Sequence, residues 1–220
     1  MDIVIGSEIK KIASGLKVIA IEADVSNAHT PDTLWQEISM ETRRIADTYT
    51  LPEINKRPGI AATRMAYKTL GKDPNRYRPS SEALCRRAVK GMELYRINAL
   101  VDIINLISLR SGYSIGGFDS DRIAGNSLVL GVGHEGEDFN AIGRGALNIH
   151  NLPVYRDDTG GIGTPTSDEE RTKLTCDTRH LLICINIYGE ELSPDETISY
   201  TRTLLEKYCN ARNITVTTYH

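Results

Sequence analysis

The sequence predicts a single α+β domain over residues 1–220, with mixed β-sheets packed against helices. Three observations carry this. The first half of the stretch Asn98 to Asp119, through Leu100, Val101, Ile103, Ile104, Leu106, Ile107 and Leu109, is apolar almost all round, as in a buried helix. Three β-branched runs, 16–25, 180–188 and 214–219, read as strands. Several helix starts carry their own stop and start chemistry, at Thr30, Ser80 and Ser193. No repeat, low-complexity segment or long linker divides the 220 residues.

In chain order, Leu16 to Val25 is the first strand. Thr30-Pro31-Asp32 opens a helix to about Tyr49, with Thr30 as N-cap, Pro31 at the first helical position and an acid in the first turn. Leu34, Ile38 and Ile45 form its apolar face. Arg57-Pro58-Gly59 is a break before a helix from about Ile60 to Leu70. A loop held by Pro74 and Pro79 follows. The helix from Ser80 turns Leu84, Cys85, Ala88, Val89 and Met92 inward. The central helix stops at Ser111-Gly112. Gly116-Gly117-Phe118-Asp119 is expected to bend, bringing backbone close to a neighbour. Residues 126–132 form a strand, 131–145 short β pieces, and 157–165 a glycine-rich loop that lacks the Gly-Lys-Ser/Thr of a phosphate loop. Residues 168–172 form a turn. His180 to Tyr188 is a strand central in its sheet. Ser193-Pro194-Asp195-Glu196 is a capping box opening a helix to about Tyr208.

Composition excludes several classes. At 40% hydrophobic and 25% charged, this is a globular chain. No apolar run reaches a membrane span, so no membrane partner is expected. No basic leader followed by an apolar core is visible, and the four cysteines form no C-x-x-C pair. Free thiols in a reducing, cytoplasmic setting are therefore expected. The five histidines lack metal-ligand spacing, and neither a metal site nor a cofactor is expected. Charge is unevenly spread. Residues 56–96 hold eleven Lys or Arg against three acids, although the net charge is −3. That surplus fits a basic face for an anionic partner, with Tyr67, Tyr77 and Tyr95 interleaved for stacking. Internal pairing with the acidic remainder is the competing reading. Arg86 is expected to brace a neighbour; Arg76, Arg78 and Arg87 are the candidate RNA contacts.

Asn98, Asp102 and Asn105 fall at i, i+4 and i+7, one polar stripe on an apolar helix. Buried polar groups need partners. The stripe either ties down neighbouring loops or faces a ligand pocket.

The stretch NALVDIINLISLRSGYSIGGFDSDRIAGN, 98–126, resembles the B-three/B-four domain of the phenylalanyl-tRNA synthetase beta subunit. Asn98, Val101, Asp102, Asn105, Leu109, Gly112, Phe118 and Asp119 match the family pattern. DDTGGIG at 157–163 and TCDTRHLLI at 175–183 resemble that domain's glycine loop and following strand. LGKDPNRYRPSSEALCRR at 70–87 is similar to a signature of stand-alone proteins built from this domain. The resemblance spans about residues 50–190. It implies the synthetase editing-domain fold and association with tRNA. It also implies, through the family's activity, hydrolysis of a wrongly attached aminoacyl ester. It does not imply a complete ligase, because the aminoacylation core is missing. Two family residues are replaced. Gly116 stands at the motif's His position, with Ser114 at its Pro position. Cys184 falls at the position of a Glu, with Asn186 two residues on.

Three functions follow as alternatives. The chain hydrolyses a mischarged aminoacyl-tRNA in trans, serves as a non-catalytic RNA-binding module, or uses the pocket for a free amino acid or other small molecule. The pocket is expected between the central helix, Gly116, Gly117 and the loop carrying Gly161 and Gly163, with Asp119, Thr178 and Cys184 as polar lining. Backbone N–H groups there would stabilise an oxyanion by about 2.7–4 kcal/mol per donor. Water is the expected nucleophile, since a Cys in an apolar strand is usually inert packing.

Overall fold

A computed structural model describes residues 1–220. Its elements run β1 (Asp2–Ile5), α1 (Ser7–Ile12), β2 (Lys17–Asp24), α2 (Asp32–Thr48), α3 (Leu51–Ile54), α4 (Pro58–Thr69), α5 (Ser80–Val89) and α6 (Ala99–Ser111). They continue with β3 (Ser114–Asp119), β4 (Ser127–Val132), β5 (Asn140–Ala141), β6 (Gly145–Ala146), β7 (Pro153–Asp157), β8 (Gly160–Gly163), β9 (His180–Ile187), α7 (Pro194–Cys209) and β10 (Arg212–Tyr219). The α+β class expected from the sequence is observed.

Three layers stack. One sheet has strand order β10-β2-β9-β3 and is antiparallel throughout. Its first face carries Ile19, Ile21, Ile183 and Ile185, which pack with α2, α5, α6 and α7 into the larger core. Its second face carries Val18, Ala20, Leu182 and Cys184, which meet the other sheet, of order β1-β4-β7-β8, in a second core. Strand alternation sends successive side chains to opposite faces, so β9 serves both cores and reads as apolar throughout. A smaller cluster of Tyr67, Phe139, Ala141, Ile149, Leu152 and Val154 supports the β5–β6 hairpin.

The central helix α6 is built as its residues dictate. Asn98 caps it, accepting from Val101 N at 3.1 Å. It stops at Gly112, whose φ of 73° is left-handed. The Ser193 capping box is present on α7.

Several elements differ from the sequence reading. Residues 114–119 form no bend; they are the buried edge strand β3. The glycine-rich run at 157–163 is a β-hairpin, with β7 pairing β8. Thr30 does not cap α2. Its hydroxyl donates to Asp102 across 72 residues of sequence, and Pro31 takes the N-cap position. The break before α4 is tighter than expected, because Pro58 is itself the first helical residue after a short α3 with its own Thr50–Glu53 capping box. Met92 lies beyond the end of α5 and is exposed.

Candidate functional site

A cavity of about 480 Å³ opens between α6, the edge strand β3 and the segment 164–174. Val101, Ile104, Asn105 and Ser108 come from one face of α6, at helical spacing. Ile115, Leu174 and Ile97 extend this apolar wall. The opposite side is polar, with Thr164, Thr166, Ser167 and Asp168. Two cations, Arg144 and Lys173, also line the cavity; Lys173 is tied to Glu170 at 2.5 Å.

Asp168 is the chemically unusual group. Its Oδ2 accepts the N–H of Gly117 at 3.1 Å, a donor on the open edge of β3. No Lys, Arg or His pairs with it within the protein. Burial pushes its carboxyl up to about 7, against the opposing pull of the Gly117 hydrogen bond. Gly163 makes room for it, since a Cβ there would stand 2.8 Å from Asp168 Oδ1; one on Gly116, at 3.6 Å, would be in ordinary contact.

Of the residues singled out in the sequence, Asn105 and Gly117 line the cavity. The others sit elsewhere. Asn98 Oδ1 accepts from Asn27 Nδ2 at 3.0 Å, and Asn98 Nδ2 donates to Leu174 O at 3.3 Å. Asp102 receives Thr30 and the backbone of Ile97, and burial raises its carboxyl pKa. These two members of the stripe therefore tie loops to the helix, and only the third faces a pocket. Asp119 accepts from Thr178 Oγ1 at 2.8 Å, and Thr178 also accepts from Thr175 N at 3.0 Å. Both groups are spent on fixing the 175–178 turn. Gly161 lies at a separate shallow concavity beside Phe139 and Arg171. Gly116 and Gly163 lie behind the Asp168 carboxylate, where their missing side chains also admit the Phe118 ring. Cys184 is on the sheet face away from α6, and burial drives its thiol pKa far up, which removes it as a nucleophile. Asn186, on the same face, is held by Tyr155 Oη at 2.6 Å and donates to Ser114 O at 2.9 Å.

The basic segment divides in two. Glu82 is fully buried and takes Arg64 at 2.7 Å, Arg86 at 2.7 Å and Arg78 at 3.5 Å. Internal bracing thus accounts for Arg86 and part of Arg78. A surface groove is lined by Arg78, Arg86, Arg87, Lys90 and Arg144, with Met92 and Tyr95. Arg87 lies over the Tyr95 ring at 4.6 Å, and that ring is 69% exposed. Arg76 lies outside the groove, over Tyr77. Arg144 lines both the groove and the cavity, so the two adjoin. Neither Arg144 nor Asp168 carried a readable signal. Arg144 follows a glycine in a short turn, and Asp168 ends a run of small polar residues with no periodicity. No group of three or more His, Cys, Asp or Glu is placed to hold a metal ion.

A helix-on-sheet domain with an apolar-walled cavity beside a basic groove is the class this geometry defines. The B3/4 domain family profile matches residues 62–202, and the chain belongs to that family. Among solved structures, the chain is similar to an N-terminal fragment of the phenylalanyl-tRNA synthetase beta-subunit from Pyrococcus horikoshii. The identity is 13% and the TM-score 0.49, over 100% of this chain and 54% of that one. The chain thus spans about half the length of that fragment. A search of curated proteins finds no match. No helix is long and apolar enough to cross a membrane.

Proposed function

We propose that the chain binds the acylated 3′ end of a tRNA and hydrolyses its aminoacyl ester. The observation that carries this reading is the sharing of Arg144 between the basic groove and the apolar-walled cavity. A polyanion with a small apolar appendage at its end needs that arrangement. Phosphates take the cations, an unstacked base takes the exposed Tyr95 ring, and the acyl side chain takes the α6 wall. The cavity volume of about 480 Å³ falls in the range of small-molecule sites and has room for an amino-acid moiety. Membership in the B3/4 domain family agrees with such a role. Arg87, Lys90 and Arg144 are the principal phosphate contacts, with Arg78 contributing the charge that Glu82 leaves unbalanced.

The His and Glu of the resembling family have no counterpart at Gly116 or Cys184, and both positions lie outside the cavity lining. The preferred acyl group is therefore read by the α6 wall, which favours an apolar side chain. The experiment is deacylation of tRNAs carrying alanine, serine, valine, leucine, phenylalanine or tyrosine, with binding of the same tRNAs followed against salt. Turnover of one or a few species, with salt-sensitive binding of all, supports the proposal. Salt-sensitive binding with no turnover favours the non-catalytic RNA module. Absence of both overturns the RNA assignment.

A further inference from the structure

We propose that Asp168 is the general base of this cavity, activating the water that attacks an aminoacyl ester carbonyl. The inference rests on the ester-hydrolysis reading and names a catalytic residue for it. Its ground is placement. The carboxylate lines the cavity opposite the apolar α6 wall, where an acyl group would lie. Oδ2 is fixed by Gly117 N–H at 3.1 Å, and Oδ1 has no protein donor. One oxygen is thus anchored and the other has no hydrogen-bond donor within the protein. The absence of a paired cation matters equally, since an ion-paired carboxylate is too weak a base for this task. Gly163 serves the same purpose, because a side chain there would press on the carboxylate.

The surroundings are compatible with a base working at neutral pH. Arg144 and Lys173 share the cavity, and Lys173 is committed to Glu170. Behind Gly116 the Cys184 thiol and Tyr155 phenol are held neutral by burial. Asp168 itself is raised to about 7, where a base is half ionised and still strong enough to take a proton.

The step balances as follows. Water oxygen bonds to the ester carbonyl carbon while Asp168 Oδ1 takes one of its protons. The tetrahedral intermediate collapses, the carbon–oxygen bond to the ribose breaks, and the departing ribose oxygen takes the proton back from Asp168. The products are a free amino acid and a tRNA with both terminal hydroxyls. Asn105 and Arg144, whose side chains have no partner within the protein, are the donors available to the developing oxyanion.

The test is single-turnover deacylation by the full chain, using whichever tRNA of the panel above turns over. Wild type, Asp168→Asn and Asp168→Glu are compared between pH 5.5 and 8.5, with tRNA affinity measured on each. Asn can still accept from Gly117 but cannot take a proton. Asp168→Asn is expected to lower the rate constant by roughly 10²–10⁴-fold, with tRNA affinity within about threefold of wild type. The wild-type rate should rise through an inflection near pH 7, absent from Asp168→Asn and partly restored in Asp168→Glu. A folded Asp168→Asn that keeps its rate within about threefold overturns the assignment and leaves the hydrolysis reading intact. A loss seen wholly in affinity also overturns it, and identifies the carboxylate as an anchor for the substrate ammonium. If wild type turns over no ester, both fall together.

Discussion

Glu82→Gln isolates the ion cluster that separates the two halves of the basic segment. Glu82 has no exposed surface, and its two oxygens serve different partners. Oε2 accepts from Arg64 Nη1 at 2.7 Å, and Oε1 accepts from Arg86 Nε at 2.7 Å. Glutamine keeps the shape but turns one acceptor into a donor facing a guanidinium. A hydrogen bond to a charged group contributes about 1.5–3 kcal/mol, and an isolated buried charge adds to the loss. The Arg64 side is hard to relieve. Arg64 is buried, and its remaining acceptors, Pro74 O at 3.2 Å and Asn75 Oδ1 at 2.8 Å, are neutral. Arg86 and Arg78 reach water and recover hydration, so their share falls toward the about 0–1 kcal/mol of exposed pairs. The expected net loss is about 3 kcal/mol. Urea unfolding at pH 7, followed by circular dichroism, reads it as a lower midpoint at unchanged slope. Arg86→Ala alone, which leaves buried Oε1 with Arg78 at 3.5 Å, should cost about 2 kcal/mol, less than Glu82→Gln. A Glu82→Gln loss under about 1 kcal/mol would refute the reasoning, because the cluster would then behave as a solvated surface pair.

Three further outcomes are expected. Of the four cysteines only Cys176 is exposed, while burial raises the thiols of Cys85 to about 11 and Cys209 to about 12 and drives Cys184 up further. A disulfide reagent at pH 8 should therefore label one thiol quickly in the native state, and fast labelling at Cys184 would contradict its placement between the sheets. Asp168 binds a proton up to about 7 in the folded chain, against an ordinary value of 3.8. Between those values the folded state holds a proton that the unfolded state releases, so this group's contribution to stability falls as pH rises. Asp168→Asn should remove that fall, and its melting temperature should gain on wild type from pH 4 to 7.5; parallel curves would show that the carboxyl titrates normally. Arg87→Ala and Lys90→Ala should each reduce the slope of log affinity for single-stranded RNA against log salt by about 0.7. Unchanged slopes would remove the groove from the RNA path.

Much of the fold was legible because local chemistry and tertiary packing agree. The α6 cap at Asn98, its Gly112 stop, the Ser193 capping box and the β9 strand are all local signals that survive folding. The errors fall where a tertiary partner took over. Thr30 looks like a helix cap, yet its hydroxyl is claimed by Asp102 on another helix. Gly116-Gly117 and Gly160–Gly163 look like loops, since glycine usually marks turns. They are strands whose missing side chains let Phe118, Asp168 and Ile104 approach. The polar stripe on α6 was visible as a pattern, but the choice among its members was not. Asn98 and Asp102 are spent on neighbours that lie far away in sequence, and Asn105 alone is left to the cavity. Cys184 entered through alignment to a family position, while period-two alternation on β9 turns it away from α6. Asp168 and Arg144 carried no signal because their places in the cavity lining arise from tertiary neighbours, not from any spacing.

The central claim is that the cavity receives the acyl group while the groove receives the RNA. The most direct test is the affinity of the full chain for two tRNA acceptor minihelices across a series of salt concentrations. One carries a free 3′ end, and the other a 3′ leucyl group joined through a non-hydrolysable amide. Parallel salt slopes are expected, set by the shared groove, with the acylated form bound about tenfold tighter from burial of its apolar side chain. Equal affinities at every salt concentration would mean that the cavity takes no part in recognition, and would contradict the account.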